Sequence, residues 1–288
     1  MPQSVEVWIS FVIIALLVLV IIAAILTSLL NSAFGFIEIV YIFITGRPLA
    51  KHFVLFKKTL EPGEESILFN NFRMYRHLPE SEKAVFEHRV VRFMEKKQFI
   101  GMSGFNVTRH HMIIISGIAV KLTFGLRRYS MPIIKKILIF PQAFKNLGTG
   151  NVHKGEFNLN AGHVAFSWRD LMEGIADPND NLHLGLHEFT HALMLEMMKG
   201  NWADTYFKYR YADVEAIIKH PKNARYLREH PYLRAYAHTN KMEFFAVAVE
   251  HFFETPYQFK QELPLLYKKF SLMLNIDPLD FVPVKPGH

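Results

Sequence analysis

The sequence predicts an α+β fold, with a small β-sheet and a mainly helical C-terminal part, preceded by a transmembrane helix. An uncharged apolar block lies near the N-terminus, short apolar and β-branched runs follow between residues 112 and 168, and the pattern is helical beyond Asp177. The 288 residues suffice for one substantial domain with an appendage. We expect an anchor at 1–45, a juxtamembrane connector at 46–77 and the domain at 78–288.

Composition limits the chemistry that the chain can perform. The net charge is +7, but basic residues are dispersed and interleaved with acids, which favours solvated faces or anionic lipid over nucleic acid. We therefore expect no direct nucleic-acid binding. The chain has no cysteine, which excludes disulfides, thiolate metal sites and a cysteine nucleophile. Any metal ion must be held by histidine and carboxylate ligands.

The first element is an apolar helix that can cross a membrane. From Trp8 to Leu30 there is neither a charged residue nor a proline, and at the helical rise this run spans about 34 Å, against a hydrocarbon core of about 30 Å. A cleavable signal peptide would begin with a basic region, whereas the first basic residue is Arg47. We predict a retained single-pass anchor, and the positive charge after it places the domain in the cytoplasm.

A second apolar stretch, Phe34–Ile44, is interrupted by Glu38 and is too short to span a membrane. Three placements are open: it continues the first helix at an angle, lies in the membrane interface, or packs against the domain. A second crossing would put the domain on the other side of the membrane.

Within the domain, the pattern changes from helix to strand and back to helix. A helix follows Pro79 and ends near Gly101, and the connector before it is expected to have little regular structure. Met112–Val120 has the composition of a strand or of a buried helix. Ile137–Phe140 and His163–Trp168 are strand candidates, so the strands precede the main helices.

The strongest chemical signal is a pair of histidines four residues apart. On a helix, His187 and His191 point the same way and can bind one metal ion, with Glu188 beside them. Two imidazoles and one carboxylate leave a coordination position for water on Zn²⁺, and Glu188 is placed to take the proton of that water. Turn and capping residues upstream and apolar residues along the segment favour a helix of the required length.

The third metal ligand must come from another part of the chain. The apolar segment Lys241–Glu254 is predicted to be helical and carries Glu243, Glu250 and Glu254 along one face. A carboxylate on such a helix is costly to bury unless it is paired or binds a metal. Spacing leaves Glu243 and Glu250 as alternatives, and the one that is not a ligand could orient a ligand imidazole.

Three further residues lie close to these segments in sequence. His183, one turn before His187, is interpreted as a partly exposed residue at the helix start rather than a ligand. Tyr236 and His238 precede the second helix and are candidates either for stabilising a developing oxyanion or for ordinary packing and surface roles.

Three segments resemble one known family. HEFTHALML at 187–195, AYAHTNKMEFFAVAVEHFF at 235–253 and FNLNAGHVAFSW at 157–168 are similar to the MtfA-type zinc peptidases, relatives of the catalytic fold of anthrax lethal factor. The similarity runs from about Leu78 to Pro278. It implies a zincin-like domain, Zn²⁺ as cofactor, Glu243 as third ligand and Tyr236 as an active-site tyrosine.

The resemblance also implies a function. Family members hydrolyse peptides, favour small aminopeptidase-type substrates and bind a glucose-responsive transcriptional repressor. This chain differs in having Ala192-Leu193-Met194 where better-known members have Lys-Leu-Asp, and in carrying a membrane span. We expect a membrane-anchored zinc peptidase acting on a peptide or protein. The alternative is a zinc-containing regulatory protein that sequesters a repressor or membrane partner without proteolysis.

Overall fold

The computed structural model describes residues 3–48, 54, 56–145, 150–199 and 205–281. The chain divides into two compact units, Met1–Leu49 and Ala50–His288. In the first unit, helix α1 runs without interruption over Gln3–Thr45. Within Val7–Thr45, an 18-residue stretch has a mean hydropathy of 3.5, and the helix is long and apolar enough to cross a membrane. The stretch Phe34–Ile44 therefore continues the first helix, which was one of its three predicted placements.

The second unit is an α+β domain, as the sequence predicts. Its first half contains α2 (Glu65–Asn71), α3 (Arg73–His77), α4 (Glu80–Glu95), β1 (Gln98–Gly101), α5 (Arg109–Thr123), β2 (Lys136–Phe140), β3 (Phe144–Lys145), β4 (Val152–His153), β5 (Gly155–Asn158), β6 (His163–Ser167) and α6 (Trp168–Ala176). Its second half contains α7 (Leu184–Lys199), α8 (Thr205–Lys219), α9 (Pro221–Glu229), α10 (Lys241–Glu254), α11 (Pro256–Glu262) and α12 (Pro264–Leu274), with 3₁₀ helices at Ala235–His238 and Pro278–Phe281.

Four strands form the main sheet in the order β1-β2-β6-β5. The pairs β1-β2 and β2-β6 are parallel, whereas β5 pairs antiparallel with β6, with Gly155 opposite Phe166. The apolar side chains of β2 and β6, Ile137, Ile139, Val164 and Phe166, are fully buried. Strand β5 forms an edge of this sheet and lies against helix α7.

Helices α7 and α10 pack against each other in the core. From Phe244 to Glu254 every residue of α10 is buried, as expected for a helix that is apolar all round. The helix begins at a cap in which the Asn240 side chain accepts a hydrogen bond from the Glu243 backbone N–H at 3.1 Å. The bounds Lys241–Glu254 are those predicted from the sequence.

Three sequence-based interpretations need correction. The connector is not irregular over residues 65–77, where α2 and α3 bury Leu68 and Tyr75 in the domain core. Met112–Val120 belongs to the buried helix α5 rather than to a strand. The sequence did not distinguish the two states, because a fully buried segment is apolar on every side whether it is a helix or a strand. The helix after Pro79 ends at Glu95, and the apolar residues before Gly101 form β1.

Candidate metal centre

Helix α7 presents two imidazoles toward one point. His187 and His191 lie one turn apart, with ring centroids 4.8 Å from each other and ring planes at 88°. Both side chains are largely buried. Burial and the neighbouring His187 lower the pKa of His191 to about 4, so its imidazole is neutral, as a metal ligand requires.

The carboxylate of Glu243, in the first turn of α10, lies close to the imidazoles of His187 and His191. Its Oε2 atom lies 2.9 Å from Nε2 of His187 and 3.6 Å from Nε2 of His191. The ligand atoms of the three residues all lie within 4.8 Å of one another. Oε2 of Glu243 is buried and accepts no hydrogen bond with good geometry from the described residues. Such a buried, unsatisfied oxygen between two imidazole nitrogens fits a metal ion.

The charge balance also favours a cation at this point. Burial alone would lower the pKa of His187, but the carboxylates of Glu243 and Glu250 outweigh it and raise that pKa to about 9. Two carboxylates around one imidazole thus stabilise positive charge. The donor set of two His and one Glu is one that zinc uses in open sites.

Glu250 occupies the other side of His187. With Nε2 facing Glu243, Nδ1 of His187 lies 2.8 Å from Oε1 of Glu250, in hydrogen-bond contact. The same oxygen accepts from Nη2 of Arg234 at 2.5 Å, and Nη1 of Arg234 donates to the carbonyl oxygen of Asn181 at 2.7 Å. Glu250 is therefore positioned to orient the imidazole of His187, while Glu243 lies where it could act as a third ligand.

We expect Glu250→Gln to weaken zinc binding by about 10- to 100-fold, because a partner that fixes a ligand imidazole typically has an effect of this size. Competition with a chromogenic chelator would measure it. Glu229→Gln, on the exposed surface of α9, is the matched control and should bind zinc like the unaltered chain. Equal affinities for both variants would contradict an orienting role of Glu250.

Glu188 lies beside the imidazoles and is only 7% exposed. Burial raises the pKa of its carboxyl group to about 7; His187 opposes this rise, while Glu243 and Glu156 add to it. A carboxylate with this pKa can both accept and return a proton near neutral pH.

Gly155, on the edge strand β5, makes room for Glu188. A Cβ atom built on Gly155 would lie 2.9 Å from both Cγ and Oε1 of Glu188, and 2.7 Å from Cδ1 of Leu184. The glycine thus lets the strand approach the carboxylate closely. Gly155 was not predicted as a site residue, because no strand was predicted around it and a glycine signals close backbone approach only within a strand.

We expect Gly155→Ala to reduce hydrolysis by about 10- to 100-fold with zinc still bound, since the new methyl group displaces the flexible end of Glu188 rather than any metal ligand. Activity and zinc content should be measured on the same sample. Ala161→Val, in the exposed turn at the other end of the β5-β6 hairpin, is the control. Loss of zinc in the Gly155 variant would contradict this explanation.

The remaining candidates are placed as follows. Tyr236 is 49% exposed, and its ring centroid lies 5.9 Å from that of His187. Burial of part of the ring, together with Glu243, raises the pKa of its phenol. His183 is buried rather than partly exposed, and its Nδ1 accepts a hydrogen bond from the Leu186 backbone N–H at 3.3 Å.

A cleft of about 470 Å³ reaches His187 and Glu188, whereas His191 and Glu243 are not among its described lining residues. Tyr236 lines it together with Glu188 and Arg234, whereas His238 is not among the described residues that do so. Arg234 was also missed from the sequence, where an arginine two residues before the tyrosine carries no recognisable signal. The described residues that line the cleft further include His153, Lys154, Gly155, Asp180, Leu182 and Leu184.

An α+β domain in which two imidazoles and a carboxylate converge beside a buried glutamate has the donor set that metallopeptidases use. The model of the family described as glucose-regulated metallo-peptidase M90 matches residues 49–274, most of the chain. The chain belongs to this family, which confirms the predicted resemblance. The match begins at residue 49, well before Leu78, where the sequence placed its start. An uncharacterized protein of Synechocystis sp. is 24% identical over 245 residues, which cover 78% of this chain and 88% of that protein.

Proposed function

We propose that the chain is a zinc-dependent peptidase held at a membrane by α1, with His187, His191 and Glu243 as metal ligands. One observation carries the proposal: atoms of these three side chains converge within 4.8 Å, beside the buried carboxylate of Glu188. Family membership supports a metallopeptidase that acts on peptides or proteins. Zinc is proposed because it prefers nitrogen and oxygen ligands in a tetrahedral set and needs only three protein ligands in catalytic sites.

The mechanism follows from the positions of the side chains around this point. When bound, zinc would polarise the peptide carbonyl and lower the pKa of a bound water to about 7. Glu188 would take the proton of the attacking water and pass it to the leaving amine, for which its pKa of about 7 is suited. Tyr236, at the mouth of the cleft, would donate a hydrogen bond to the developing oxyanion.

The arrangement of the cleft also supports a peptide as substrate. Strand β5 is an edge strand, and Gly155 brings its backbone next to Glu188. An extended peptide can add to such an edge through backbone hydrogen bonds, which would hold the scissile bond near the carboxylate. Binding of this kind depends little on the substrate's side chains.

The membrane location is proposed from α1 and from the basic residues that begin at Arg47. We propose residues 1–45 as the anchor, with the domain in the cytoplasm and a membrane-proximal protein as substrate or regulatory partner. Protease treatment of sealed vesicles of known orientation tests the side. Digestion of the domain only in right-side-out vesicles would contradict a cytoplasmic location.

The experiment that tests the function uses the full-length chain in detergent micelles. We expect about one zinc per chain, loss of peptide hydrolysis on chelation, and recovery of activity when zinc is added back. The metal content and the hydrolysis of a mixture of unstructured peptides should be followed together. Hydrolysis that persists after complete removal of zinc would contradict the proposal.

A further inference from the structure

A second cavity, of about 340 Å³, lies away from the proposed metal centre. Lys121 of α5 and Glu254, the last residue of α10, line it together with His183, which precedes α7. The remaining wall is mixed. Helix α6, the end of α10 and the last 3₁₀ helix supply apolar surface, namely Met172, Ile175, Phe253, Pro278 and Phe281, and the segment of α2 and α3 adds the polar residues Asn70, Asn71, Arg73 and Arg76. The cavity has room for about ten water molecules, or for one small organic molecule.

Glu254 is the unusual group in this cavity. Its side chain is 3% exposed, yet neither carboxylate oxygen accepts a hydrogen bond from the residues that the structure describes. Burial raises the pKa of this carboxyl group to about 8. A buried carboxyl group without hydrogen-bond partners is costly in either protonation state, and a ligand that donates hydrogen bonds to it would favour its ionised form.

Lys121 faces the same space with the opposite charge. Burial lowers the pKa of its ammonium group to about 8, and the nitrogen lies 5.4 Å from the centroid of the Phe253 ring. Among the described residues, no ion pair within 4.0 Å joins Lys121 to Glu254. Arg73 and Arg76 also line the cavity. Basic groups and one acidic group therefore face one cavity, and Lys121 and Glu254 influence each other's pKa without forming a direct ion pair among the described residues.

We propose that this cavity binds a free α-amino acid with an apolar side chain. Its ammonium group would donate hydrogen bonds to Glu254, and its carboxylate would accept them from Lys121, with Arg73 adding positive charge. Its side chain would pack on Met172, Ile175 and Phe281. The ligand thus supplies donors to Glu254, which has none among the described residues, and an acceptor to Lys121.

Other small ligands fit this cavity less well. A simple anion such as phosphate would satisfy Lys121 but would leave Glu254 without a donor and add repulsion to it. A metal cation would find Glu254, His183, Asn70 and Asn71 as possible donors, but the positive charges of Lys121, Arg73 and Arg76 would oppose it. An amine without an acidic group would leave Lys121 without an acceptor.

The cavity is bordered by the ends of the same two helices that carry the proposed metal ligands. Glu254 lies one turn after Glu250 on α10, and His183 lies one turn before His187. An amino acid bound there would therefore contact the same two helices that hold the proposed zinc. If the proposed peptidase function is correct, the ligand is also the kind of product that the enzyme releases, but binding itself does not depend on that function.

Isothermal titration of the full-length chain in detergent micelles tests the proposal. L-Leucine, L-methionine and L-phenylalanine are the probes, while leucinamide and 4-methylpentanoate lack the carboxylate and the ammonium group respectively. We expect saturable binding of at least one amino acid, and an affinity at least about tenfold lower for the two leucine analogues and for Glu254→Gln and Lys121→Met. Circular dichroism should verify that both variants are folded.

Met172→Trp serves as an independent variant, since it fills the cavity without changing its charge and should also prevent binding. Removal of zinc by chelation should leave amino-acid binding in place, which separates this site from the metal centre. The proposal is overturned if none of the three amino acids binds, if leucinamide binds as tightly as leucine, or if chelation abolishes the binding.

Discussion

Replacement of Glu188 by glutamine is expected to lower peptide hydrolysis by about 10²- to 10⁴-fold while zinc remains bound, because an amide has the shape of the carboxylate but cannot accept the proton of the attacking water. The three proposed ligands, His187, His191 and Glu243, are unchanged in this variant. Hydrolysis and zinc content should be measured on the same preparation, with Glu229→Gln as the control at an exposed position.

This variant also separates the enzyme from the regulatory alternative. A protein that only sequesters a repressor or a membrane partner should keep its biological effect when Glu188 is replaced, because zinc and the surrounding surface are retained. An enzyme should lose the effect together with hydrolysis. Full hydrolysis by the Glu188 variant would exclude the proposed base.

The second large effect concerns the metal. We expect Glu243→Ala and His191→Ala each to weaken zinc binding by on the order of 10²- to 10³-fold, since a structural zinc site contributes roughly 10–16 kcal/mol from its complete ligand set and each variant removes one ligand. Metal analysis after dialysis against a weak chelator would measure the loss. Activity should disappear in both variants at low zinc and recover in part at high zinc.

Comparison with Glu250→Gln makes this prediction specific. Glu250 is expected to act through His187, so replacing Glu250 should lower the affinity for zinc less than replacing Glu243 does. The opposite order would show that the two carboxylates have been assigned the wrong way round. Equal retention of zinc by Glu243→Ala and the unaltered chain would remove the proposed site.

The parts of the site that could be predicted were those with a strong local pattern. The turn, capping and apolar residues around His187 and His191 and the apolar run of α10 predicted helices, and both helices are present. Spacing could not rank Glu243 against Glu250, because both carboxylates contact His187, one at Nε2 and the other at Nδ1. Choosing between them requires the relative rotation of two helices, which is a tertiary property.

The interpretations of the sequence that were wrong concern segments without a clear local pattern. A fully enclosed segment such as Met112–Val120 has no polar face, so the period that distinguishes a helix from a strand is lost. Helices α2 and α3 are too short to show a period at all, and they are stabilised by burying side chains such as Leu68 and Tyr75 in the core. Gly155 has a role at the site only because helix α7 lies beside strand β5, and this tertiary contact cannot be predicted from the residues around the glycine.

The length of α1 has a practical consequence. Its apolar part, Val7–Thr45, extends about 58 Å at the helical rise, and even a tilt of about 40° leaves it about 45 Å tall. A bilayer about 30 Å thick would cover only part of that length, which leaves an apolar segment outside the hydrocarbon core. In the part of α1 after Leu30, Glu38 and Ile42 are buried, whereas Phe43 and Ile44 are exposed. Preparations of the whole chain will therefore need a detergent micelle large enough to cover this apolar segment. In a cell, the segment would associate with another apolar surface.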